Sequence, residues 1–197
     1  MKLNILLFTA LAIFAVSCEK DDSILRGKPE NPGSASQRGE VKFSAPAPGD
    51  ASIAEIAIEA GFSELVGALV YVDEKLDAGL VNLFLNGTDQ YTVFAPTNDA
   101  FEGLYDFLEI DGITDLPAEL VLDVLLYHVT EGRRAANSVV PPVRPRTITT
   151  LLGATFTVNS KSEISDIFGQ TAKIVAPDIS ASNGIIHVID TVILPLD

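Results

Sequence analysis

The stretch that most constrains this chain is Tyr-Thr-Val-Phe-Ala-Pro-Thr-Asn-Asp-Ala-Phe, residues 91–101, which sets a strand, a stop and a helix start one after another. Tyr91, Val93 and Ala95 alternate with Thr92 and Phe94, and their β-branched and aromatic content suits a strand with at least one buried face. Pro96 ends it. Thr97 stands where its hydroxyl can cap the next helix, and Asn98 and Asp99 bring polar and negative groups to a first turn whose N–H groups lack partners. Around that helix Phe101, Leu104, Tyr105 and Leu108 share one arc, while Asp99, Glu102, Asp106 and Glu109 take the other side. One face docks and the other is solvated. The Asp111-Gly112-Ile113 that follows lacks the spacing of a calcium-binding loop.

On either side the pattern separates helices from strands. Ser52 can cap a helix carrying Ile53, Ile56, Ala57 and Ala60 on one side, with Gly61 as its stop. Ser63 is placed to cap a second, with Leu65, Leu69, Val72 and Leu76 as its stripe, and residues 80–85 suit a short helical turn before a turn at Asn86-Gly87-Thr88. After the corner, Pro117 opens a helix with Leu120, Val124 and Tyr127 on one face. From Thr147 onward the pattern is β: residues 147–151, 154–158, 173–176 and 185–194. Helices first and strands later argue for an α+β fold and against an alternating βαβ sheet.

The corner, then Leu126-Tyr127-His128-Val129, then Asn183-Gly184-Ile185-Ile186-His187-Val188-Ile189-Asp190 stand in the order of three blocks of the fasciclin (FAS1) domain family, which the chain resembles from about residue 44 to its end. That resemblance implies an α+β unit, an FAS1-type wedge-like β-sandwich with several helices packed over it, used mostly in adhesion and surface proteins. It also makes Thr97, Asn98, Tyr127, His128, Asp178, Ile179, Asn183, Gly184 and His187 signature residues with structural roles. In animal members the Tyr-His segment has been proposed as an integrin contact; here Tyr127 and His128 are expected to pack inward and satisfy their polar atoms internally. Ala176-Pro177-Asp178-Ile179-Ser180 is similar to a second animal motif, with Ala176 and Ser180 as departures, so it is expected to keep the loop geometry rather than the activity.

The chain begins differently. Lys2 precedes an apolar run over residues 3–16 that fits an export signal, and Ala15-Val16-Ser17-Cys18 resembles a bacterial lipoprotein box. The expected organisation is a signal over 1–17, a lipidated Cys18 heading a flexible tether over 18–44, and one domain over 45–197. Membrane attachment through acyl chains on Cys18, palmitate among them, follows from this reading. Glu19-Lys20-Asp21-Asp22 resembles tracts that send lipoproteins to the outer face of the outer membrane, the alternative being a periplasm-facing anchor. Residues 23–49 are rich in Gly, Pro, Ser, Asn and Gln and read as a coil.

Charge and chemistry narrow the function. There are 27 acids against 13 bases, a formal −14, which disfavours nucleic acid as a partner of the whole chain. The single Cys rules out a disulfide framework, and two His make a zinc site poorly supported. No phosphate loop, His-Glu-x-x-His or Gly-x-Ser-x-Gly occurs, so no enzyme, cofactor or metal is expected. Between Gly132 and Ser162 there is no acid, and Arg133, Arg134, Arg144, Arg146 and Lys161 all fall there. The four Arg flank Val139-Val140-Pro141-Pro142-Val143. Guanidinium groups grip carboxylate or sulfate through paired N–H bonds, so these Arg are candidate contacts for a protein or an acidic glycan at the cell surface. Two readings stay open: an adhesion or binding module, and an accessory lipoprotein of an envelope uptake or assembly complex.

Overall fold

The computed structural model describes residues 46–195; the signal, Cys18 and the tether over 18–44 lie outside them. Among the described residues there are six α-helices and seven strands, and none of those helices is long and apolar enough to cross a membrane.

Helix α1 (Ile53–Glu59) begins with a reciprocal cap: Glu55 N donates to Ser52 Oγ at 3.3 Å, and Ser52 N donates to Glu55 Oε2 at 2.7 Å. It is followed by Gly61 at φ +78°, a left-handed position that glycine adopts without strain. Helix α2 (Ser63–Leu76) departs from expectation. Ser63 is its first helical residue, and no side chain of the preceding Phe62 caps it. The amide of Glu64 donates instead to Asn98 Oδ1 at 3.2 Å, a partner 34 residues away. Helix α3 (Leu80–Asn86) also borrows its cap, because the Asp73 carboxylate accepts from Leu80 N and Val81 N, each at 2.8 Å.

Strand β1 (Tyr91–Pro96) is buried at five of six positions, so both its faces are covered. Thr97 then caps α4 (Asn98–Leu108) through Ala100 N at 3.2 Å. Phe101 and Leu104 dock, Tyr105 is half-buried, and Leu108 is exposed despite its place in the arc. A single 3-10 turn, Ile113–Asp115, leads to α5 (Ala118–Tyr127), with Pro117 one residue before the helix rather than in it. Ala118, Val121 and Leu125 bury one face of α5 in the helical layer, Tyr127 at its end is buried toward the sandwich, and Leu120 and Val124 are only half-buried.

The sheet order is β2 (Val129–Glu131), β1, β7 (Gly184–Ile189), β6 (Thr171–Ala181), β5 (Glu163–Ser165), β4 (Thr155–Val158), β3 (Arg146–Thr149). β1 and β7 run parallel from Tyr91↔Gly184 to Pro96↔Ile189, and the remaining pairings are antiparallel. The closing strand stops at Ile189, where residues out to 194 had been expected, and β2, β5 and the short α6 (Ala136–Val139) had no sequence signal. Residues 176–180 are not a loop. They form part of β6, whose register against β7 slips between Ile174, Ala176 and Ile179, with Asp178 at φ +64°, and such bulges bend a strand.

That bend lets β6 serve both halves of the sheet. Phe94 and Ile189 from one half meet Ile148, Phe156, Val158 and Ile164 from the other in a single buried cluster. This is the sandwich core. A second cluster, with Leu65, Val72, Phe84, Val93, Ala95, Phe101, Val121 and Leu125, lies between the helices and the other face of β1 and β7. Successive residues of β1 feed alternate cores, as a strand's two-residue period requires.

Candidate functional site

The signature residues turn inward and bind one another's backbones. Asn98 does more than polarise a first turn: besides accepting from Glu64 N, its Nδ2 donates to Gly61 O at 3.0 Å, which ties the α1–α2 turn to α4. Asn183 is buried, and its Oδ1 accepts from Ile53 N while its Nδ2 donates to Phe84 O, both at 2.9 Å. A Cβ on Gly184 would lie 2.1 Å from Tyr91 O and 2.7 Å from Ile53 Cδ1, so the close approach of β7 to β1 excludes any side chain there. Ile179 pairs with Ile186 beyond the bulge.

Tyr127 is fully buried; its hydroxyl donates to Thr155 O at 2.8 Å and its ring stands edge-on to Phe156. Burial pushes its phenol up to about 12. His128 Nδ1 lies 2.7 Å from Val124 O, and Nε2 accepts from Ile193 N at 3.2 Å. The network therefore assigns the proton to Nδ1. Desolvation pushes this imidazole down to about 4, against the Val124 carbonyl acting the other way. His187 is its mirror: Nδ1 accepts from Asp178 N at 3.2 Å and Nε2 donates to Arg134 O at 2.9 Å. Its pKa is lowered too, by burial first, with the Arg134 carbonyl and the Asp178 charge opposing. Asp178 completes the bracket by accepting from Ala136 N at 2.7 Å. All four imidazole nitrogens and the Tyr127 hydroxyl proton are thus engaged within the protein, and among the described residues no group of three His, Cys, Asp or Glu could hold a metal ion.

The four Arg do not act alike. Arg133 is half-buried and donates to the carbonyls of Pro46, Ala47, Ala181 and Gly184 and to Ser180 Oγ, so it staples the start of the domain to the β6–β7 hairpin. Arg134 Nε donates to Glu131 O at 3.0 Å. Arg146 Nη1 donates to Ser138 O. Arg144 is exposed beside Val143, which is 79% exposed, in the stretch between α6 and β3. Sequence spacing alone could not sort Arg133 from the others, because the backbone carbonyls and the hydroxyl it binds come from two distant stretches, residues 46–47 and 180–184.

Known proteins place this architecture. The fold is shared with a FAS1 domain pair from the insect cell adhesion molecule Fasciclin I, at TM-score 0.51 and 19% identity, over 68% of this chain and 46% of that one. Protein sll1483 of Synechocystis sp. is 33% identical over 149 residues, 74% of this chain and 76% of that protein. The cell surface glycolipoprotein MPB83 of Mycobacterium bovis is 35% identical over 123 residues, 60% of this chain. Transforming growth factor-beta-induced protein ig-h3 of Sus scrofa is 32% identical over 115 residues. The chain spans about half of the mycobacterial protein and 16% of the porcine one. Residues 60–195 match the Fasciclin domain, and the chain belongs to that family of non-enzymatic cell-surface adhesion and binding modules.

Proposed function

We propose that this protein is a lipid-tethered fasciclin module that works by contact at the outer surface of the cell envelope. Residues 1–17 are the export signal, Cys18 carries the lipid, residues 18–44 are the leash and 45–197 the domain. The naming of a mycobacterial relative as a cell surface glycolipoprotein supports tethering. The binding surface is the stretch between α6 and β3, and the observation that carries this is its exposure: Pro142, Val143, Arg144 and Pro145 all face solvent, inside a run of 31 residues without an acid in an acidic domain. Arg144, with the outward parts of Arg134 and Arg146, offers an acidic glycan or an acidic protein face the paired N–H groups it needs. Arg133 serves the fold instead.

The test is a glycan and matrix-protein array on residues 45–197 beside the triple variant Arg134→Gln, Arg144→Gln, Arg146→Gln. Saturable binding lost at least tenfold in the variant supports the reading, and equal binding removes the loop from it. A single stoichiometric envelope partner with no array hit favours the accessory role. For tethering, Cys18→Ser should release the protein from membranes, and protease treatment of intact cells should remove the domain.

A further inference from the structure

The helical layer is not filled. Two adjoining lobes lie in the helical layer, one of about 150 Å³ lined from α1, α2, α3, α5 and the sheet and one of about 90 Å³ lined mainly from α2, α4 and α5, and they share Leu65, Leu125 and His128 as a common wall. Among the described residues His128 is the only polar side chain lining either lobe, and both its nitrogens are already engaged by Val124 and Ile193. Protein interiors seldom keep voids larger than a water molecule, and an apolar cavity of about 150 Å³ stays dry and takes up hydrocarbon. The larger lobe continues into an open groove on α1 and α2, with Ala57, Ile58, Val66 and Val70 common to both. Ile58 is 61% and Val70 41% exposed at this mouth. Gly67 stands in the groove in mid-helix, and a Cβ there would meet nothing within 4 Å. A glycine in a helix interior costs stability, and neither a turn nor a packing contact requires this one; its absent side chain leaves the groove open.

We infer that this groove and the two lobes form a binding site for a single unbranched hydrocarbon chain whose neutral head stays at the α1–α2 surface. Leu65, Leu125 and His128 line both lobes, so the two small volumes lie side by side, and a chain that bends past these residues fits them better than one broad ring system. An interior without a free hydrogen-bonding group cannot pair a polar function carried along the chain. The excess of acids over the domain disfavours an anionic head. This site is distinct from the basic stretch between α6 and β3 and stands or falls separately from it.

The test uses the full chain and dodecanol bearing a terminal diazirine, irradiated and mapped by mass spectrometry. Label should concentrate on α1, α2 and α5, and each methylene added to a competing n-alcohol should lower the free concentration needed about fourfold until both lobes are full. Dodecanoate should compete at least tenfold less well. Gly67→Trp, which plugs the groove without touching the core, should reduce labelling at least tenfold without lowering the melting temperature, while Gly67→Ala retains it within twofold. Ile58→Lys, on an exposed side chain, gives a second block independent of Gly67. Label spread equally onto the exposed Val143 and Phe107, or undiminished in both blocking variants, overturns the site. A several-fold rise in labelling on Cys18→Ser would assign the cavity to the chain's own lipid and overturn an external ligand.

Discussion

The two cores share a strand and differ in how they are filled. In the sandwich, Phe94 stands edge-on to Phe156 at 5.0 Å and Tyr127 edge-on to the same ring at 5.8 Å, and seven of the twelve largest fully buried side chains are its members. In the helical layer, mostly aliphatic side chains, with Phe84 and Phe101 among them, meet across lobes of about 150 and 90 Å³. Aromatic rings packed edge to face fill the sandwich, whereas the side chains that α2, α4 and α5 turn toward the sheet leave gaps between them. The contrast teaches a division of labour: the sandwich supplies stability, and the helical layer supplies adaptable space.

The largest effect should separate the two directly. Phe156→Ala removes the ring on which Phe94 and Tyr127 both lean and should cost about 4 kcal/mol, enough to abolish a cooperative melt. Leu65→Ala, beside space that is already empty, loses fewer contacts and should fall near 2 kcal/mol, the low end for such truncations. Chemical denaturation of both variants checks this. Equal losses would mean that the lobes are not loose at all.

Acid should come next. His128 is buried neutral with its pKa held at about 4, whereas an unfolded imidazole titrates near 6.5. Between those values the unfolded chain binds a proton that the folded chain refuses. Stability is therefore complete above about pH 6.5 and declines as pH falls toward 4, by about 3 kcal/mol in all. His187 acts in the same direction. Because His128 lines both lobes while His187 rests on Phe94, one imidazole reports on each core. Melting followed from pH 7 to 4.5 should fall steeply, and His128→Gln should flatten the slope more than it changes the plateau.

A smaller loss, about 2 kcal/mol, is expected for Asn183→Ala, which leaves the buried Ile53 N–H and Phe84 C=O unpaired; amide exchange at Ile53 should rise with it. Asn183 also marks where sequence reading stops. The β1–α4 corner, the α1 cap and the apolar stripe of α2 were legible because each depends on neighbours within four residues. What Asn98, Asn183 and Arg133 do was not, since their partners lie 34, 130 and up to 87 residues away. Strands β2 and β5 span only three residues each, too few to show a period. The position of Asp178 was misjudged because the resemblance implies a loop over residues 176–180, whereas the bulge and the positive φ of Asp178 fall inside a strand. The basic run was visible as composition, but only tertiary contacts divide it into a staple at Arg133 and an exposed remainder.

The smallest effect has the opposite sign and sharpens the comparison most. Gly67 lies in the interior of α2, with open space where a methyl would go, so Gly67→Ala should gain helix propensity at no steric cost, up to about 1 kcal/mol. For a domain of this size that is roughly a 3 °C rise in Tm. If Gly67→Ala instead destabilises, α2 approaches a neighbour at this point and the groove is shallower than its lining implies. If it stabilises and hydrocarbon labelling is retained, then the missing side chain is a cost borne by the fold where the helical layer opens to solvent, and the looser core is loose in the one place where a ligand could use it.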